Sequence, residues 1–125
     1  MKWQKNMCLI DANVILRYLL DDNQLMAQQA KKVVENGAYT KPEIIAEVVY
    51  VLKGVYKVGR ADISAYLKLL LQTVKCTDGE AVIYALDLYA QTSLDFIDCL
   101  LVAYHELNSE TVFTFDKKLN RYLLD

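Results

Sequence analysis

Short apolar or β-branched runs, each too brief to be a helix, alternate along this chain with longer segments of helical periodicity. Met7–Ile10 ends in Asp11-Ala12-Asn13, and Val14–Leu20 then turns helical. A short buried strand feeding a helix fits that pattern. From Asn23 to Glu35, the residues Leu25, Met26, Ala30, Val33 and Val34 recur at helical spacing, and Gly37 stops the helix. Ala38–Thr40 is long enough only for a short strand, and Pro42 opens a helix reaching about Tyr56. Another helix starts at Arg60 or Ala61, with Ile63, Leu67, Leu70 and Leu71 on one side. Val74–Cys76 reads as a strand, followed by helices from Asp78-Gly79-Glu80 to about Gln91 and from Ser93 to Leu107. Thr111–Phe115 is β-branched and aromatic, hence a strand, and Asp116 starts a last short helix. The alternation predicts one α/β domain over residues 1–125. Its expected architecture is three-layer α/β/α, with a short, mostly parallel sheet of about four to five strands.

Composition narrows the function classes. The chain has 125 residues, 54% of them hydrophobic, with only four Gly and one Pro. Disorder and low-complexity linkers are excluded. Fourteen basic against 16 acidic residues give a net charge of −2. A protein that coats nucleic acid wholesale is unexpected, although a local basic rim beside an acidic site is compatible. The three cysteines, Cys8, Cys76 and Cys99, form no C-x-x-C pair and sit in apolar stretches. They read as buried free thiols in a reducing compartment. No apolar run approaches the ~18 residues of a membrane span, since Arg17 and Asp98 break the candidates. Lys2 and Lys5 precede an apolar stretch that Asp11 and Asn13 interrupt, which is not a secretory signal. A soluble cytoplasmic protein with no membrane partner is expected.

Most acids, among them Asp21, Asp22, Glu35, Glu110 and Asp125, flank helices or loops where water reaches them. Four resist that account. Asp11 directly follows a strand; it suits a helix N-cap, yet ligands of parallel sheets sit outside the carboxyl ends of strands. Glu47 borders the apolar arc of Ile44, Val48, Val51 and Val55 in a helix apolar on most sides. Its alternatives are a snorkelling or exposed Glu and a functional one. Asp98 interrupts Phe96–Tyr104, a run otherwise fit for the interior. An unpaired buried carboxylate needs protonation, a cation or strong donors. Asp116 follows the Val112–Phe115 run and, like Asp11, either caps a helix or stands at the sheet's functional edge. Asp95 shares the face of Asp98, but Thr92-x-x-Asp95 has the spacing of a capping box. Three or four carboxylates in one cleft repel one another, and hard divalent cations relieve that repulsion. Mg²⁺ or Mn²⁺ held in this way supports phosphodiester cleavage, through one ion or two.

The ordered set Leu9-Ile10-Asp11-Ala12-Asn13, Ile45-Ala46-Glu47-Val48-Val49-Tyr50, Asp95-Phe96-Ile97-Asp98-Cys99-Leu100 and Thr114-Phe115-Asp116 resembles the PIN-domain nucleases. It is most similar to the small VapC-like toxins of toxin–antitoxin pairs. The resemblance spans the whole chain, from first strand to last helix. It implies Asp11, Glu47, Asp98 and Asp116 as metal ligands and catalytic acids, the fourth being the most variable. It also implies supporting roles for Asn13, Asp95 and Thr114. Ala12 departs from the family, which commonly has Thr or Ser there; a hydroxyl that would steady the site is missing.

The resulting expectation is a Mg²⁺- or Mn²⁺-dependent endoribonuclease, the toxin of a toxin–antitoxin pair. Its partners would be an RNA substrate, a cognate antitoxin and a second copy in a homodimer. The apolar helices 42–56 and 61–73 would supply the antitoxin's groove. Two rivals stand beside this reading. One is a catalytically weak PIN-like module that binds RNA or protein without cutting, which the intact carboxylates oppose. The other is a metal-dependent phosphatase with an aspartyl nucleophile, which Asn13 opposes because that scheme needs a second Asp two residues on. His105, the single His, reads as a satisfied helix-end residue rather than a base. Lys53, Lys57, Arg60, Lys117, Lys118 and Arg121 read as solvated faces first and phosphate contacts second.

Overall fold

The computed structural model describes residues 6–124, so the lysines Lys2 and Lys5 and the acid Asp125 lie outside the described residues. Three short strands, β1 (Cys8–Leu9), β2 (Ala38–Thr40) and β3 (Lys75–Cys76), form a parallel sheet in the order β1-β2-β3. Cys8 pairs with Ala38 and Leu9 with Tyr39, while Tyr39 pairs with Lys75 and Thr40 with Cys76. Between them run α1 (Ala12–Leu20), α2 (Gln24–Glu35), α3 (Pro42–Gly54) and α4 (Arg60–Leu70). After β3 come α5 (Gly79–Gln91), α6 (Phe96–Asn108) and α7 (Lys117–Asn120). Both connections join parallel neighbours, for which right-handed crossovers are the rule; that rule puts α1–α2 and α3–α4 on one side of the sheet, in keeping with the packing of α1 on α3.

Local chemistry explains the boundaries. Asn23 caps α2 by accepting the Met26 N–H at 3.1 Å. Gly37 takes a left-handed φ of 104°, and its N–H closes the helix on the Val34 carbonyl at 3.1 Å. Pro42 stands in the first turn of α3, where its missing N–H removes no helical bond. The core is one cluster. Ile45, Val48 and Leu52 of α3 meet Ile63 and Leu67 of α4, Val82 and Leu86 of α5, and Cys99 and Ala103 of α6. Each large apolar side chain sealed there stabilises the fold by roughly 1.5–3 kcal/mol.

Two expectations need correction. The sheet has three strands among the described residues, not four to five, because Thr111–Phe115 pairs with no strand. Its polar groups are taken up locally instead. The Thr114 carbonyl accepts from Asn120 Nδ2 at 3.0 Å, and the Thr114 hydroxyl accepts from the Asp116 N–H at 3.1 Å. β-Branched and aromatic content favours a strand-like segment, but joining a ladder is a tertiary outcome. The cysteines are all free, as expected, but only Cys99 is buried; Cys76 is half-buried and Cys8 exposed on the first strand. No helix among the described residues is long and apolar enough to cross a membrane.

Candidate active site

In a parallel sheet all carboxyl ends face one edge, and Asp11, Thr40 and Asp78 stand there, at or just beyond the ends of β1, β2 and β3. Asp11 is exposed, and its Oδ1 accepts the Val14 N–H at 3.0 Å, so it caps α1. Its second carboxylate oxygen is not required by the cap. Asn13, the next polar position, is exposed in the first turn of the same helix.

The start of α6 is different. Phe96, Cys99, Leu100, Val102 and Ala103 bury one face of this helix, and Asp98 sits half-buried at its border. Burial raises the Asp98 carboxyl above the ordinary aspartate range, and the negative charges of Asp95 and Asp116 raise it further, with Lys118 opposing them. Asp95 occupies the N-cap position but makes no capping hydrogen bond. The capping-box expectation is therefore wrong. Thr92 spends its hydroxyl elsewhere, donating to the Leu88 carbonyl at 2.8 Å and accepting the Leu94 N–H at 3.3 Å. Asp116 caps α7 through Oδ1, which accepts the Leu119 N–H at 2.9 Å, while Thr114 steadies its backbone. The charges of Asp95 and Asp116 thus both reach Asp98.

Glu47 is exposed on α3, on the same helical face as Glu43 and Tyr50. Helix α3 packs against α6, and Glu43, one turn before Glu47, is among the charges that act on the half-buried Tyr104 of α6. Neither Asp11 nor Glu47 figures among the charges acting on Asp98.

The donor set suits a hard divalent cation in kind: oxygen-only, anionic, and crowded enough at Asp98 to disfavour ionisation. It is not drawn round a single point, because no three His, Cys, Asp or Glu among the described residues stand close enough to hold an ion. Asp11 and Asp116 each have one oxygen engaged with backbone, and Glu47 extends from another helix face. The charges of Asp95 and Asp116 reach Asp98, whereas Asp11 and Glu47 stand on two further elements, α1 and α3.

Three residues take places that the sequence did not indicate. Arg60 was read as a solvated or phosphate-facing cation, but it is half-buried and bonded inward. Its Nε donates to the Tyr89 carbonyl at 2.8 Å, its Nη2 donates to the Leu94 carbonyl, and the guanidinium lies 3.8 Å from the Tyr89 ring centroid. It ties the end of α5 to the turn that carries Asp95. No spacing marks such an Arg in advance, since both partners are main-chain carbonyls. Phe113 and Phe115, expected inside a strand, stand 80% and 90% exposed beside Asp116. His105 lies 2.9 Å through Nδ1 from the Glu110 carbonyl, about two helical turns along α6 from Asp98.

The sequence profile of the PIN domain family matches residues 8–122, from the first strand to beyond the last helix. No curated protein and no solved structure matches the chain.

Proposed function

Because the chain belongs to the PIN domain family, whose members are generally nucleases, we propose that it is a Mg²⁺- or Mn²⁺-dependent endoribonuclease, the toxin of a toxin–antitoxin pair of the VapC-like kind. The observation that carries the metal dependence is Asp98, a half-buried carboxylate pressed by Asp95 and Asp116. A divalent cation would relieve that pressure, which among the neighbours only Lys118 opposes. Asp11, Asp98 and Asp116 would hold the metal, and Glu47 would bind it or orient the attacking water. Bound there, the ion supplies positive charge to phosphate oxygens and acidifies water. Asp95 would add negative potential and Asn13 would steady Asp11, while Thr114 accepts the Asp116 N–H and Arg60 fixes the turn before α6.

One surface supports the antitoxin part of this reading. An apolar cavity of about 690 Å³, lined by Tyr18, Leu19, Leu52, Tyr56, Val58 and Leu69, opens where α1, α3 and α4 meet. Its size and lining suit an amphipathic antitoxin helix. A homodimer and a cytoplasmic location belong to the same proposal.

The test is cleavage of RNA by the purified chain. Total tRNA, rRNA fragments and mRNA are incubated with Mg²⁺, Mn²⁺ or EDTA, and the products are mapped. Endonucleolytic cuts that appear with metal and vanish in EDTA are expected. RNA binding without cutting in either metal would favour a non-catalytic binding module, and a trapped phospho-Asp11 would favour a phosphatase.

A further inference from the structure

We propose that Phe113 and Phe115 form a stacking platform on which unpaired bases of a single-stranded RNA rest, with Lys117, Lys118 and Arg121 holding its phosphates. The proposal rests on the nuclease reading and names the part of the surface that would select the form of its substrate. Of the three phenylalanines, Phe96 is 3% exposed in the core, whereas Phe113 and Phe115 are 80% and 90% exposed. Their rings stand edge to face, 5.1 Å apart at 82°, so the pair is mutually braced and still presents open π-surface. The intervening Thr114 is fastened by Asn120 and Asp116, which holds the two rings on one side of the segment.

The surroundings point to nucleic acid. Lys117, Lys118 and Arg121 are exposed within six residues of Phe115, with Asp116 between them and the rings. Aromatic faces, one carboxylate and phosphate-seeking cations therefore follow one another along a single short stretch. Bases stack on aromatic rings with little regard to sequence, but a duplex hides base faces within its own stack. A platform of this kind selects unpaired RNA. A protein strand is the poorer fit, because the Thr114 carbonyl is already used and three cations are left without a role.

The experiment measures binding in EDTA, by fluorescence polarisation of a labelled 12-nucleotide single strand and of the same sequence as a duplex. Phe113→Ala and Phe115→Ala should each weaken single-strand binding by about tenfold or more and leave duplex binding alone. Phe115→Trp should retain affinity, with emission quenched by the single strand but not by the duplex. Lys118→Ala should weaken both and flatten the salt dependence. Melting curves check that each variant is folded. Unchanged single-strand affinity in both Ala variants overturns the platform. So does a change from dimer to monomer in those variants with RNA binding intact, which would assign the rings to a second copy. Metal-dependent cleavage, run in parallel, separates the two readings. A wild type that cuts RNA while the Ala variants bind it normally loses only the platform; one that neither binds nor cuts loses both.

Discussion

The helices α1 and α6 each begin at an aspartate, and the two beginnings are built differently. Asp11 accepts a backbone N–H three residues on, so its place is explained by helix capping alone. Asp95 accepts none, and Asp98 behind it is half-buried against other negative charges. The second arrangement gains no capping hydrogen bond and sets Asp98 against like charges. The comparison separates carboxylates that the fold requires from carboxylates that it only tolerates. It also says how to test each: an acid that caps must be replaced in two ways, and an acid that strains the fold needs only one.

The largest expected effect is on the tolerated side. Asp98→Asn should lower metal-dependent RNA cleavage by more than about a hundredfold, the scale on which loss of transition-state charge stabilisation is felt. Asp95→Asn should cost much less, since Asp95 is more exposed and is proposed only to add potential. Rates on one defined RNA under single-turnover conditions give both values. A reversed order would move the metal from Asp98 to Asp95.

Next in size is metal binding itself. A ligand at tenfold excess over Kd stabilises the native state by about 1.4 kcal/mol, or roughly 3–7 °C in a domain of this size. Wild type should gain that rise between EDTA and saturating Mg²⁺ or Mn²⁺, and Asp98→Asn should lose most of it. Equal rises in both proteins would take Asp98 out of the metal site. Asp11 is sharpened by its pair of replacements. Asp11→Asn keeps a capping oxygen and should melt close to wild type, while Asp11→Ala should lose about 1 kcal/mol with the cap. If Asp11 is also a ligand, both replacements remove the metal-induced rise. A rise retained in Asp11→Asn confines Asp11 to its cap.

The legible part of this molecule is the part fixed by periodicity and capping. The helices come out within a few residues of their expected limits, because Gly37, Pro42 and the buried stripe Ile45-Val48-Leu52 are local signals. Asp98 is legible for the same reason, as a charge within an apolar run. What stays hidden is decided between elements. Thr111–Phe115 has strand composition, but whether it pairs depends on the competing hold of α7 on Thr114, which no window of sequence contains. Arg60 looked like any surface cation because its partners are carbonyls, which carry no residue identity. The four proposed ligands are readable as a set only through family resemblance, since their mutual spacing is tertiary.

The smallest expected effect isolates the strain at α6 without metal or substrate. Burial and the charges of Asp95 and Asp116 raise the Asp98 carboxyl in the folded protein, so the fold prefers it protonated. That preference stabilises the native state fully below the unfolded aspartate pKa of about 3.9 and is lost as pH rises through the higher folded value. At pH 7 in EDTA, wild type therefore carries an ionised group that the fold disfavours, and Asp98→Asn does not. The variant should melt a few degrees above wild type there, and the gap should close as pH falls below about 4. The two proteins differ only at this side chain, so the difference between the two curves reports mainly Asp98 and its couplings. Melting both proteins in EDTA from pH 3 to pH 8 reads it directly. A gap of the same size at every pH would assign it to packing of the amide rather than to charge, and the beginning of α6 would then be no more strained than that of α1.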